Sequence, residues 1–145
     1  MKRFLKCICL ILVMATLMAF PAQAAEMPDS RASNYFMSVS TYLWHLHGTT
    51  FQVWFDVTAV RGMDELGTST IKIMRSTDNV NWTTVKTYTK DTYYAAMIGQ
   101  DTSFHASCVT YTGSEGYYYK ALVTFYAKEG NDQAMVYRYT DTFYF

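Results

Sequence analysis

The chain has 145 residues, half of them apolar, with 12 bases against 12 acids. An export leader carries three of the bases, and without it 9 bases face 12 acids, a net charge of −3. That balance excludes the basic patch that nucleic acid requires and gives no attraction to an anionic membrane surface.

Lys2, Arg3 and Lys6 form a positive segment ahead of an apolar run from Cys7 to Phe20. Pro21 breaks the run, and Ala22-Gln23-Ala24 supplies the small residues a signal peptidase needs. Cleavage after Ala24 is expected. An uncleaved anchor is the alternative, since the run is near the lower limit for spanning. A lipoprotein signal would place its Cys at the end of the run, whereas Cys7 and Cys9 stand at its start. No second hydrophobic span and no wall-anchoring tail follow. Cleavage would leave 121 residues, suited to one domain, with Cys108 as the lone thiol and no internal disulfide. All 13 Tyr lie in this part. Its wealth of Tyr, Thr, Val and Phe and its shortage of Leu, Lys and Glu lean towards strands.

Residues 25–34 lack periodicity and read as a flexible lead-in to one domain, 35–145. Seven strand-like runs follow, bounded by turn residues. The first is 35–44, ending near Gly48. The second, 50–60, alternates Phe51, Val53, Phe55, Val57 and Ala59 with Gln52, Trp54, Asp56 and Thr58, the clearest period of two in the chain. A loop is expected over 61–67. The third strand is 69–75, with Ile71 and Ile73 inward. A turn at 76–79 leads to the fourth, 82–90. Residues 91–103 read as a longer loop, then come strands at 104–111, 117–127 and 135–145, with a hairpin turn at 128–132. No helical period lasts more than a turn. The fold class expected is all-β, an immunoglobulin or fibronectin III-like sandwich of about seven antiparallel strands in two sheets.

Two motifs sharpen that expectation. Ser76-x-Asp78-Asn79-x-x-Trp82 looks like the turn that delivers a Trp into the core of many fibronectin III-like domains. Gly116-Tyr-Tyr-Tyr119-Lys-Ala121 is similar to the tyrosine-bearing strand of such sandwiches, where one Tyr buries its ring and bonds backbone through its hydroxyl. Tyr119 is the candidate. Together with Gln52-Val-Trp-Phe-Asp-Val-Thr58, Met63-Asp-Glu-Leu-Gly67, Ile71-Lys-Ile73, Val85-Lys-Thr-Tyr88 and Val109-Thr-Tyr-Thr-Gly113, these segments resemble a family of small secreted proteins from Gram-positive, clostridia-like bacteria that is described only as a domain of unknown function. The resemblance spans roughly residues 35–139. It implies secretion and a single domain, and brings no activity or site residue.

Candidate chemistry is sparse. Asp64 and Glu65, side by side in the expected loop, could serve as a binding or hydrolytic carboxylate pair, but two carboxylates are too few for calcium. The plainer reading has Asp64 accepting backbone hydrogen bonds and Leu66 plugging the core. His45 and His47, two apart, could share a strand face, whereas His105 and Cys108, three apart, fall on opposite faces. No metal and no cofactor are expected, and no nucleophile motif surrounds Cys108. Cys108 is expected to be buried, with an intermolecular disulfide as the alternative.

Aromatics on both strand faces are the stronger signal. With Phe55 inward, Trp54 faces out, and with Tyr119 inward, Tyr118 faces out. The expectation is an exported, non-catalytic binding module whose aromatic surface around Trp54, Tyr117 and Tyr118 takes a glycan or a protein. The plain alternative is that these rings only stabilise the sheet. Two other functions stand beside it: a secreted antagonist of bacteriocin-like or host-directed type, and a small hydrolase using Asp64 and Glu65. The apolar last strand, with only Arg138 and Asp141 as protection, leaves a homodimer through a sheet edge open.

Overall fold

A computed structural model describes residues 34–145, so the leader and nearly all of the lead-in lie outside the described residues. The elements are β1 (Phe36–His47), β2 (Thr50–Ser76), β3 (Thr83–Thr89), α1 (Lys90–Met97), β4 (Ile98–Thr112), β5 (Tyr118–Glu129), β6 (Asp132–Tyr139) and β7 (Phe143–Tyr144). The protein is mostly β, and its seven strands pair antiparallel in one sheet.

That sheet is built on β2, which runs unbroken for 27 residues. Its first half pairs with β1 on one side and β4 on the other. Its second half pairs with β5 on one side and with β3 and the start of β4 on the other, and β6 and β7 extend beyond β5. The loop expected over 61–67 is therefore strand, and the two sheets expected are halves of one. The charged and Gly-rich sequence there marks a bulge. The partners step from Thr58 with Phe104 to Met63 with Thr102, so four residues of β2 oppose one of β4. Bulges bend a strand and raise its twist. The bend curls the sheet until its halves face each other, and Phe51 of the first half comes within 5.4 Å of Tyr119 of the second, ring centre to ring centre.

The core lies between the halves. Phe51, Val53, Phe55 and Val57 point into it from one side, and Ile71, Ile73, Tyr119, Ala121, Val123 and Phe125 from the other. Full burial of each large member stabilises the fold by about 1.5–3 kcal/mol. Leu66 is fully buried below the bend, as the plainer reading of that segment expects. Tyr119 behaves as the sequence motif implies. Its ring is buried, and its hydroxyl accepts a hydrogen bond from the Ser114 N–H (2.8 Å) and donates to the Ser114 carbonyl (3.3 Å). Gly113 makes room for that ring, since a Cβ there would sit 2.7 Å from it.

Two expectations fail locally. Residues 91–103 are helix and strand rather than loop. The helix α1 escapes a periodicity search because it buries only Met97 and so carries no apolar stripe. Trp82 does not enter the core. Its turn forms as read, with the Asp78 carboxylate accepting hydrogen bonds from the Val80 and Asn81 N–H groups (2.9 and 2.8 Å) and from the Ser76 hydroxyl (2.7 Å). Those bonds hold the Asp78 carboxyl well below the usual carboxylate range. But Val85 packs against the core, and Trp82, three residues earlier on an extended chain, faces out beneath the Lys120 ammonium (4.1 Å).

The bend is clamped from outside. The Arg61 guanidinium bonds both oxygens of the Glu129 carboxylate, and the Asp64 carboxylate accepts the Gly130 N–H (2.6 Å). Both ties reach the β5–β6 hairpin. Inside, the end of α1 presses so closely on β2 that a Cβ on Gly67 would overlap the Met97 carbonyl. Gly67→Ala is expected to lower stability by about 2–3 kcal/mol, because the obstruction is backbone rather than a yielding side chain. Urea unfolding checks this, and a midpoint equal to that of the parent chain contradicts it.

Candidate aromatic binding face

The first half of the sheet has an inner face in the core and an outer face in solvent. Directly opposed residues of paired strands share a face, so the register fixes what lies side by side. On the outer face Tyr42 of β1, Trp54 of β2 and Cys108 of β4 form one row. Trp44, Gln52 and Thr110 form the next, Ser40, Asp56 and Ala106 the one on the other side, and Ser38, Thr58 and Phe104 the last. Trp44 is 58% exposed, Phe104 56% and Tyr42 44%. Trp54, at the centre, is half-buried.

The central rings are held in place. The rings of Tyr42 and Trp54 are parallel to within 4°, with centres 6.4 Å apart. The Trp54 indole N–H donates to the Gln52 side-chain carbonyl (2.9 Å), and the Gln52 amide donates in turn to the Thr110 hydroxyl (3.4 Å). Cys108 is half-buried at the end of the row, and burial pushes its thiol up, so it stays protonated at neutral pH. Asp56 is the one residue in these four rows that carries a charge at neutral pH. The result is a nearly uncharged sheet surface with parallel aromatic rings at its centre and amide and hydroxyl groups around them.

The residues singled out from sequence are not brought together. Trp54 is on this face. Tyr118 opens β5 in the other half of the sheet, and Tyr117 stands just before it. Tyr117 is half-buried against the core, edge-on to Tyr119 (6.5 Å) and capped by the Arg75 guanidinium at 4.6 Å. Tyr118 packs on Tyr144 (4.7 Å). Because the halves face each other through the core, their outer faces point apart, and Tyr118 is not part of the Trp54 surface. Asp64 is taken up by Gly130, and Glu65 pairs with Lys90 (3.2 Å) and Lys128 (3.9 Å). Both carboxylates tie β2 to neighbouring elements, Asp64 to the β5–β6 hairpin and Glu65 to α1 and β5. Tyr42, Trp44 and Phe104 were missed. All sit at even positions on their strands, but only the pairing register reveals that they flank Trp54.

The histidines separate as well. A bulge falls between His45 and His47: His45 opposes the core residue Phe51, and His47 opposes Thr50. They therefore lie on opposite faces rather than one. The His45 ring bonds the Gly48 carbonyl (2.8 Å) and packs against Phe143 and Phe145. Among the described residues no group of three or more His, Cys, Asp or Glu is placed to hold a metal ion.

No protein-family model matches the chain, and no curated protein matches it. Among solved structures the chain is similar to Spo0M, a sporulation control protein from Bacillus subtilis, with 10% identity and a TM-score of 0.41 over 71% of this chain and 47% of that one. The likeness thus spans about half the length of Spo0M, and at that TM-score it carries no argument about this chain.

Beneath the aromatic face, His105 of β4 packs its ring against Phe55 (5.8 Å), and its Nε2 is buried with no hydrogen-bond partner. Burial pulls its pKa below the ordinary value, and a weaker interaction with the Ala96 backbone opposes this. The folded state therefore holds His105 neutral, whereas the unfolded chain protonates it below about pH 6.5. Stability is present above that pH and is lost as pH falls through it. The urea midpoint is expected to fall between pH 7 and pH 5, and to fall less in His105→Leu. An equal fall in both proteins contradicts the assignment.

Proposed function

We propose that this chain is an exported, non-catalytic binding module whose ligand is a neutral glycan, taken on the outer face of β1, β2 and β4. The observation that carries this reading is the parallel, anchored Tyr42–Trp54 pair with exposed Trp44 beside it on a surface almost free of charge. Aromatic faces carry negative quadrupole charge and attract the C–H groups that line one side of a sugar ring. Gln52, Thr110 and Asp56 stand within the same rows to bond hydroxyls. Rings fixed by packing and by an indole hydrogen bond lose little freedom on binding.

Export rests on the leader sequence: the basic start, the apolar run and the Ala22-Gln23-Ala24 end. Membership of the secreted family that the sequence resembles belongs to the same proposal. So does descent of the curled sheet from an immunoglobulin or fibronectin III-like sandwich, for which the buried Tyr119 with its backbone-bonded hydroxyl is the supporting feature. The hydrolase reading of Asp64 and Glu65 gains no support, because both groups are engaged in ties from β2 to the β5–β6 hairpin and to α1.

Retention on insoluble polysaccharides and cell walls tests the reading. The chain is expected to be retained on a subset of them. Trp54→Ala and Trp44→Ala should each weaken retention tenfold or more while keeping the parent circular dichroism spectrum, and Tyr118→Ala should bind like the parent. Full retention by a folded Trp54→Ala protein contradicts the proposal.

A further inference from the structure

Each exposed strand edge offers unpaired N–H and C=O groups, and proteins protect such edges with charges, bulges or covering elements. Four other edges of this sheet are protected, β7 by being only two residues long. β6 carries Asp132 and Arg138, and β3 carries Lys86. On β4, α1 packs against the strand and the Tyr88 hydroxyl donates to the Thr110 carbonyl (2.7 Å). β1 is different. It pairs with β2 alone, and its 12 residues, Phe36 to His47, include no Asp, Glu, Lys, Arg or Pro. Its ladder with β2 is regular from Ser38 to His45, its outer face exposes Tyr42 and Trp44, and Leu46, also exposed, sits in the bulge that follows.

We propose that β1 pairs antiparallel with β1 of a second copy of this chain, giving a two-fold dimer centred on Tyr42. Symmetry and the pleat restrict the register. Opposed residues must share a face, so their positions must have the same parity and the axis must pass through a residue. With the axis at Tyr42, Ser40 opposes Trp44 of the second copy, Tyr42 opposes itself, and Ser38 comes level with Leu46 in the bulge. Small residues at the start of β1 thereby meet large ones at its end, on the outer face, in both copies at once. No like charges meet across the seam. The pairing also sets the two aromatic faces edge to edge in one continuous surface, with the order Trp54, Tyr42, Tyr42, Trp54 across it. A dimer of this kind would hold an extended polymer at two sites, with the gain in avidity that linked sites bring. The dimer itself does not depend on what that surface binds.

Sedimentation of the full chain, expressed with its leader and purified from the medium, reads the mass with no ligand present. The expected mass is twice that of one chain, falling to one chain in Tyr42→Asp, where two carboxylates would face each other across the axis. The Tyr42→Cys variant reports the register without breaking the seam. Opposed Cα atoms lie about 4.5–5.5 Å apart, within disulfide reach. It should cross-link to its own copy under mild oxidation, whereas Leu46→Cys, level with Ser38, should not. A single-chain mass at all concentrations overturns the proposal, as does a dimer that survives Tyr42→Asp or equal cross-linking of the two cysteine variants. Failure of the glycan reading would show separately, as a Trp54→Ala protein that keeps both the dimer mass and its retention on polysaccharide.

Discussion

The structure depends on one strand continuing through a bend. β2 could have ended near Val60 and begun again after Gly67, as its composition suggests, and the halves of the sheet would then be joined only by a loop. Instead the backbone stays paired on both sides of the bulge, with β4 as a continuous neighbour from Thr50 to Gly67. Four features keep the bend in place. Gly67 admits the end of α1, Leu66 fills the core beneath it, and Arg61 and Asp64 hold the β5–β6 hairpin from outside. The exposed Arg61–Glu129 pair adds little by itself, so burial and close packing at Gly67 and Leu66 carry most of the load.

Once the bend is fixed, every residue of the first half of β2 has one of two destinies. Odd positions, Phe51 to Ala59, meet the second half of the sheet and make the core. Even positions, Gln52 to Thr58, face away from it and are covered only in part, by neighbours on the same face. Aromatic residues there cannot serve the core. Tyr42, Trp44, Trp54 and Phe104 gather on that outer surface, and of these Trp54 is the most covered, by its neighbours' side chains, and is held by an indole hydrogen bond. On the proposed reading, the scarcity of charge around them, where Asp56 is the one charged group, disfavours phosphate or carboxylate ligands and suits a neutral one with apolar faces and hydroxyl edges.

Much of this was legible in the sequence, for a physical reason. Alternation over 51–59 reports both faces of a strand at once, so the core and the outward turn of Trp54 were readable together. Tyr119 and Leu66 were readable because each is a large side chain in a local motif that leaves it one place to go. What was hidden needed pairing information. The charged segment 61–67 looks like a loop because bulged strand and loop share the same Gly and polar residues. The helix α1 is exposed and lacks a stripe. Trp82 follows a turn that formed as read, but the parity set by Val85 turned it outward. The grouping of Tyr42 and Trp44 with Trp54, and the separation of Tyr118 from it, are consequences of register and of the bend, and neither is written in any local stretch of residues.

The claim at the centre of this account is that adjacent residues of β2 serve different ends, the odd ones stability and the even ones the outer surface. Urea unfolding of Phe55→Ala against Trp54→Ala tests it most directly. The account predicts a loss of about 3–5 kcal/mol for Phe55→Ala, a large side chain removed from the core, and about 1–2 kcal/mol for Trp54→Ala, which gives up its two cross-strand neighbours and one indole hydrogen bond. Equal losses, or a greater loss for Trp54→Ala, would mean that Trp54 belongs to the core and that the outer face is not a surface set aside for binding.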